Sequence, residues 1–261
     1  MRPILFDMGG FSIHTFGLLV GLGFVAGLWV ASRLAVRVGF KPELVYDLAV
    51  PWIIVGALIG ARTVYVVTYW KQDFAGHPWH EALAVWRGGL VYYGGLIGGT
   101  LAAVLRLRRL GLPIWKVGDC LAPGIALGHV FGRIGCLFNG CCFGRHANYP
   151  WSIRFPVGSI PGNLPVHPTQ IYEALLNLAL AGALAWFHGR RRFDGQVFSL
   201  YLIAYAFVRS FTEFFRGDYS VTSAPLSGIL TPGQSTSVGT LAGGIVLYLV
   251  LRSGQSVSAK T

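Results

Sequence analysis

The stretch Tyr205-Ala206-Phe207-Val208-Arg209-Ser210-Phe211-Thr212-Glu213-Phe214-Phe215-Arg216 sets polar side chains at i, i+4, i+8 and i+11 among phenylalanines and a valine. At 100° per residue they fall at roughly 0°, 40°, 80° and 20°, one narrow stripe on an otherwise apolar helix. Such a stripe needs a polar cleft. A planar guanidinium binds phosphate bidentately, and Glu213 is spaced to neutralise Arg209 or Arg216, leaving one arginine for an anion. A purely structural Arg-Glu-Arg staple would use the same spacing.

Two further segments carry chemistry. His167-Pro168-Thr169-Gln170-Ile171-Tyr172-Glu173 reads as a helix start, with Thr169 as its N-cap. Gln170, Glu173 and Asn177 then share one face, and capping alone explains neither Gln170 nor Asn177. The segment from Gly128 to Arg145 combines five glycines with His129, Arg133, Asn139, Cys136, Cys141 and Cys142. It follows an apolar run and lacks the strand and the Gly-Lys-Ser/Thr ending of a phosphate-binding loop. Vicinal Cys141 and Cys142 make an awkward tetrahedral pair, even with His129, so no metal is expected; a disulfide on an oxidising face is the stronger reading of the thiols. Arg62, Arg133 and Arg209 lie within or at the edges of apolar runs, where insertion of an arginine costs at least ~2.5 kcal/mol, so each needs an anion, a carboxylate or a snorkelling route.

The elements that position these residues follow from composition. The 261 residues are 54% hydrophobic and 12% charged, about half the roughly 25% charge of soluble domains. Glycine supplies 36 residues, twice the usual ~7%, and in a bilayer glycine lets helix backbones approach closely. This excludes a cytosolic enzyme, a disordered chain and a small disulfide scaffold. Apolar runs close to the ~20 residues needed to cross hydrocarbon begin near Ser12, Tyr46, Leu90, Gly118, Gln170, Val197 and Val238. The expectation is an all-α polytopic membrane protein of about seven transmembrane helices, forming one integral membrane domain over residues 1–261. The fourth run, which contains Pro123, is expected to be broken or partly re-entrant.

With the N-terminus outside, twelve of the 21 basic residues, Lys260 included, fall in inner loops and the tail, against six outside, among them Arg2 and Arg87. That bias favours N-terminus out and C-terminus cytoplasmic. The long loops, about 70–89 and 139–169, are then external. The +11 net charge is a record of topology rather than a nucleic-acid-binding face.

Six blocks in a fixed order resemble the prolipoprotein diacylglyceryl transferase family. They are Ile13 to Gly17, Gly60 to Arg62, Gly88 to Gly98, Gly132 through Asn139 to Gly144, His167 to Glu173, and Tyr205 to Arg216. The resemblance implies a bacterial inner-membrane enzyme, multi-pass, with its active site toward the outer side. It moves the diacylglyceryl group of phosphatidylglycerol onto the lipobox cysteine thiol of a preprolipoprotein, forming a thioether and releasing glycerol phosphate. By position, Arg133 and Arg209 match the arginines implicated in binding phosphatidylglycerol. Tyr205, Asn139, Gly144, Glu213 and Arg216 match further motif positions, and Gln170 and Glu173 are taken with them as substrate-binding.

The chain departs from the family pattern at four places. Tyr93 stands where the family usually has a histidine, Cys136 replaces an Asn, Cys141 a Glu, and Phe16 a Tyr. The acceptor thiol must lose its proton to attack, and the departing phosphate needs cationic stabilisation. Arg133 and Arg209 suit the second task. For the first the chain offers Tyr93, with a reference pKa near 10, or His129 and His14 near 6.5. No cofactor is implied; the partners are phosphatidylglycerol, the lipoprotein signal peptide and membrane lipid, not nucleic acid. Two other readings stay open: a relative with a different acceptor or lipid, and an anion transporter or channel. The glycines of 88–99 and 124–144 are expected to admit a lipid headgroup to the backbone.

Overall fold

A computed structural model describes residues 4–7, 12–76, 78–85, 88–156, 162–218 and 230–258. Of the basic residues weighed for orientation, Arg2, Arg87 and Lys260 lie outside these. A short hairpin, β1 (Ile4–Asp7) and β2 (Ser12–His14), leads into α1 (Thr15–Arg37). The other long helices are α2 (Glu43–Thr68), α3 (Tyr92–Arg109), α4 (Ile114–Asn139), α5 (Thr169–His188), α6 (Gln196–Glu213) and α7 (Pro232–Ser258). Two-residue strands β3 (Ile153–Arg154) and β4 (Pro165–Val166) pair between α4 and α5.

The chain is a polytopic helical membrane protein. Helices α1, α2, α4, α5 and the Pro232–Gly254 part of α7 are long and apolar enough to cross a bilayer. Helices α3 and α6, 18 residues each, coincide with the apolar runs expected from Leu90 and Val197. Val25, Trp29, Ile97, Leu101, Leu175 and Val246 stand exposed, a surface suited to hydrocarbon rather than water. Pro123 does not break α4, correcting the expectation of a broken span; packing of a membrane helix against its neighbours tolerates the lost hydrogen bond. Pro51, lacking an N–H, instead sits in a π-helical stretch of α2, Ala49–Ile54.

The chain divides into two compact units, residues 1–34 with 118–261, and residues 35–117. In the smaller, Gly56 and Gly60 of α2 meet Gly94 and Gly98 of α3 so closely that a Cβ on Gly60 would strike the Gly94 carbonyl. This is small-xxx-small packing from both sides. In the larger, Gly27 of α1 lies against Gly124 of α4, where an added Cβ would come 2.7 Å from the Gly124 oxygen. These glycines therefore admit a neighbouring helix, not a lipid headgroup. The larger unit's core gathers Ala122, Ala126, Ala181, Leu184, Val197 and Tyr201, which fixes α4, α5 and α6 side by side.

Candidate active site

The loop leaving α4 ties three helix ends together. Gly144 donates its N–H to the His167 carbonyl at 3.0 Å, Arg145 to Phe215 at 2.8 Å, and His167 back to Arg145 at 3.0 Å. A Cβ on Gly144 would lie 2.5 Å from that of His167 and 2.8 Å from the Phe215 oxygen. Gly144 thus acts by allowing three chain segments to meet, so it supports the site rather than facing it. Thr169 donates to the Cys142 carbonyl at 2.6 Å and Gln170 Nε2 to that of Cys141 at 2.7 Å. Thr169 is therefore not the N-cap expected of it. Pro168 holds that position without a side-chain bond, and the hydroxyl pins the loop.

On the face of α5 expected from spacing, Gln170, Glu173 and Asn177 are all buried. Glu173 Oε1 lies 2.9 Å from Arg133 Nη2 on α4, and Asn177 Nδ2 donates to the Glu173 carbonyl at 2.8 Å. Gln170 Oε1 and Asn177 Oδ1 have no hydrogen-bond partner among the described residues.

The polar stripe of α6 is shorter than its spacing implies. Tyr205, Arg209 and Glu213 lie on the helix, but α6 ends at Glu213, and Arg216 belongs to a β-bridge with Gly144. Arg209 Nη1 and Glu213 Oε2 touch at 2.6 Å without the alignment of a hydrogen bond. Arg216 lies 4.0 Å from Glu213 and forms a two-point fork with Asp218, at 3.0 and 2.8 Å. Burial opposes the charge on Arg216, yet the Asp218 carboxylate more than offsets it and raises its pKa. Glu213 therefore does not choose between two arginines, because Arg216 has its own carboxylate. Asp218 was missed by helical spacing, as was Thr231, whose hydroxyl donates to Glu213 Oε1 at 2.8 Å. At Gly233 a Cβ would sit 2.5 Å from the Glu213 carboxylate.

His129, one turn before Arg133, stacks on Tyr205 with ring centroids 4.9 Å apart, and its Nδ1 is 3.4 Å from the Tyr201 hydroxyl. Asn139 is exposed and donates to Cys141 Sγ at 3.6 Å. Hydrogen bonds from the Cys136 and Cys142 thiols hold the Cys141 thiol below its ordinary pKa. The structure thus brings together Arg133, Glu173, Gln170, Asn139, Gly144, His129 and Tyr205 around the end of α4, with Arg209, Glu213 and Arg216 at the end of α6.

Tyr93 belongs to the smaller unit, where it is 57% exposed and edges onto Tyr92. His14 is exposed on β2. Arg62, also in the smaller unit, binds no carboxylate among the described residues. It donates to the carbonyls of Glu81, Ala82, Gly88 and Gly89 at 2.7 to 3.2 Å, and so serves as a loop staple.

The partly buried guanidiniums of Arg133 and Arg209, aligned by carboxylates, form a preorganised anion-stabilising arrangement, and the uncommitted amide oxygens beside them are acceptors for a hydroxyl or N–H donor. The family model described as prolipoprotein diacylglyceryl transferase matches residues 3–250. A phosphatidylglycerol–prolipoprotein diacylglyceryl transferase of Synechococcus elongatus is 36% identical over 94% of this chain and 85% of its own length. The enzyme of that name from Rhodospirillum rubrum is 35% identical over 98% and 94%. A second such enzyme of Clostridium perfringens is 31% identical over 95% and 94%. With the blocks from Gly132, His167 and Tyr205 gathered around one set of helix ends and a family match along nearly its whole length, the chain belongs to the prolipoprotein diacylglyceryl transferase family.

Proposed function

We propose that this protein transfers the diacylglyceryl group of phosphatidylglycerol to the lipobox cysteine of a preprolipoprotein. The observation that carries the reading is the two ion pairs Arg133–Glu173 and Arg209–Glu213, each a buried carboxylate on a partly buried arginine, in a chain of this family. Each carboxylate engages part of a guanidinium fork and orients the remainder. The acceptor thiol loses its proton, and its sulfur attacks the terminal glyceryl carbon. The C–O bond to phosphate breaks, a thioether forms, and glycerol phosphate leaves with the electron pair. Arg133 and Arg209 stabilise the charge that develops on the phosphate, which in a site shielded from water is the largest available contribution. Tyr205, Gln170, Asn139 and Arg216 complete the headgroup site.

Proton removal falls to His129 or Tyr93. His129 is held between Tyr201 and Tyr205 one turn from Arg133, which favours it over a tyrosine that is a poor base at neutral pH. The bias of basic residues supports seven spans with the N-terminus outside, a topology in which the ends of α4 and α6 and the start of α5 face the outer side of the bacterial inner membrane, where signal peptides emerge. Incubating the purified protein with phosphatidylglycerol and a lipobox peptide gives a peptide heavier by one diacylglyceryl group. No mass gain with the wild-type protein, with anion flux in liposomes instead, would overturn the reading in favour of transport.

A further inference from the structure

Cys136 lies on the last turn of α4, and Cys141 and Cys142 follow in the loop. Their three Sγ atoms all lie within 4.8 Å of one another. Cys142 adopts φ 61°, the one positive φ outside glycine among the described residues, which turns the chain so that consecutive thiols share a side. His129, which would complete a tetrahedron, is stacked on Tyr205 and lies outside this cluster. A disulfide would consume two sulfurs and strand the third.

We propose that Cys136, Cys141 and Cys142 form a three-thiolate site for a soft monovalent cation of the copper(I) kind. At a metal–sulfur distance of about 2.3 Å, a trigonal plane needs sulfurs about 4.0 Å apart; small side-chain shifts bring the cluster to that spacing. A donor set of sulfur alone selects soft cations over hard ones. Three thiolates around one positive ion leave surplus negative charge, and the surroundings offset it. Cys142 lies within electrostatic range of both Arg133 and Arg216, and Cys136 of Arg133. The Asn139 amide donates to Cys141 Sγ at 3.6 Å, an outer hydrogen bond of the type that orients metal ligands. All three cysteines are partly exposed, so an ion reaches them from solution while their protons leave. The inference does not rest on the transferase reading, although Arg133, Arg216 and Asn139 border both sites.

The test is titration of the reduced, detergent-purified protein with copper(I) against a chromophoric copper(I) chelator. About one equivalent is retained per chain, X-ray absorption shows a shell of three sulfurs, and Cys141→Ser or Cys142→Ser abolishes retention. Cys120→Ser, in a buried residue elsewhere on α4, leaves retention intact. On the unsubstituted protein, copper(I) also protects the peptide carrying Cys136, Cys141 and Cys142 from iodoacetamide, a readout that needs no variant to fold. Failure to hold copper(I) against the chelator, a two-sulfur shell, or unaltered alkylation of that peptide would each overturn the proposal.

Discussion

Where α4 begins, Asp119 is fully buried and every partner it needs is in place. Its carboxylate accepts the N–H groups of Gly195 and Phe198 at 2.8 and 2.9 Å, capping α6 from a neighbouring helix, and Arg191 Nε lies 3.4 Å away. His188 sits 3.3 Å from Arg191 Nη1 and 3.6 Å from Cys120 Sγ. At the opposite end of the same helices, Gln170 Oε1 and Asn177 Oδ1 are buried without a hydrogen bond among the described residues, while Arg209 Nη1 and Glu213 Oε2 are paired with each other as ions. Each orphaned buried polar atom costs about 1–3 kcal/mol. The contrast supports the proposal that the second end takes a polar ligand. On the proposed reading the first end is structural in purpose and the second receives the lipid headgroup.

Substitutions that separate activity from stability test this contrast. The largest effect is expected from Arg209→Ala, which lowers turnover by about 10²–10³, the usual cost of losing one preorganised charge stabiliser. Turnover measured with phosphatidylglycerol and a lipobox peptide at wild-type levels would sink the assignment. Asp119→Ala does the reverse. It removes the cap of α6 and leaves Arg191 short of a partner, costing about 2–3 kcal/mol of stability, read as a lowered Tm in detergent. Turnover per folded molecule stays within about twofold, since by the contrast above this end carries no ligand.

The difference between the ends was only partly legible in the sequence. Helical periodicity placed Gln170, Glu173 and Asn177 on one face, and Tyr205, Arg209 and Glu213 on another, because those relations are local and repeat every turn. Arg216 left its stripe because the end of α6 depends on the pairing of Gly144 with Arg216 and on the loop from α4, contacts about 70 residues apart in sequence. Asp218 stood two residues away but at no helical spacing. Thr231 reaches Glu213 across 18 residues, and the thiol cluster depends on one left-handed backbone angle. Asp119 escaped notice because a single acid at the start of an apolar run has no local partner to betray its role.

A smaller effect is expected where the polar end is crowded rather than stripped. Gly233→Ala sets a Cβ 2.5 Å from the Glu213 carboxylate, so Glu213 must move and Arg209 with it. We expect KM for phosphatidylglycerol to rise about tenfold, equivalent to about 1.4 kcal/mol. An unchanged KM would mean that the position of Glu213 does not matter to the lipid.

The smallest effect bears most directly on whether the incomplete end awaits a ligand. Asn177 is wholly buried, and its Nδ2 bonds to the Glu173 carbonyl, a helix oxygen whose backbone partner is the Asn177 N–H itself. Asn177→Leu therefore deletes an unsatisfied Oδ1 and a dispensable donor while keeping similar bulk. Stability without lipid should change by less than about 1 kcal/mol, in the stabilising direction, because an orphaned polar group is gone. The rise in Tm that phosphatidylglycerol produces in the wild-type protein should shrink in the variant, since the ligand loses an acceptor. If the lipid-induced rise is undiminished and the lipid-free protein is less stable, Asn177 belongs with the Asp119 end, as a polar group whose partners lie wholly within the fold.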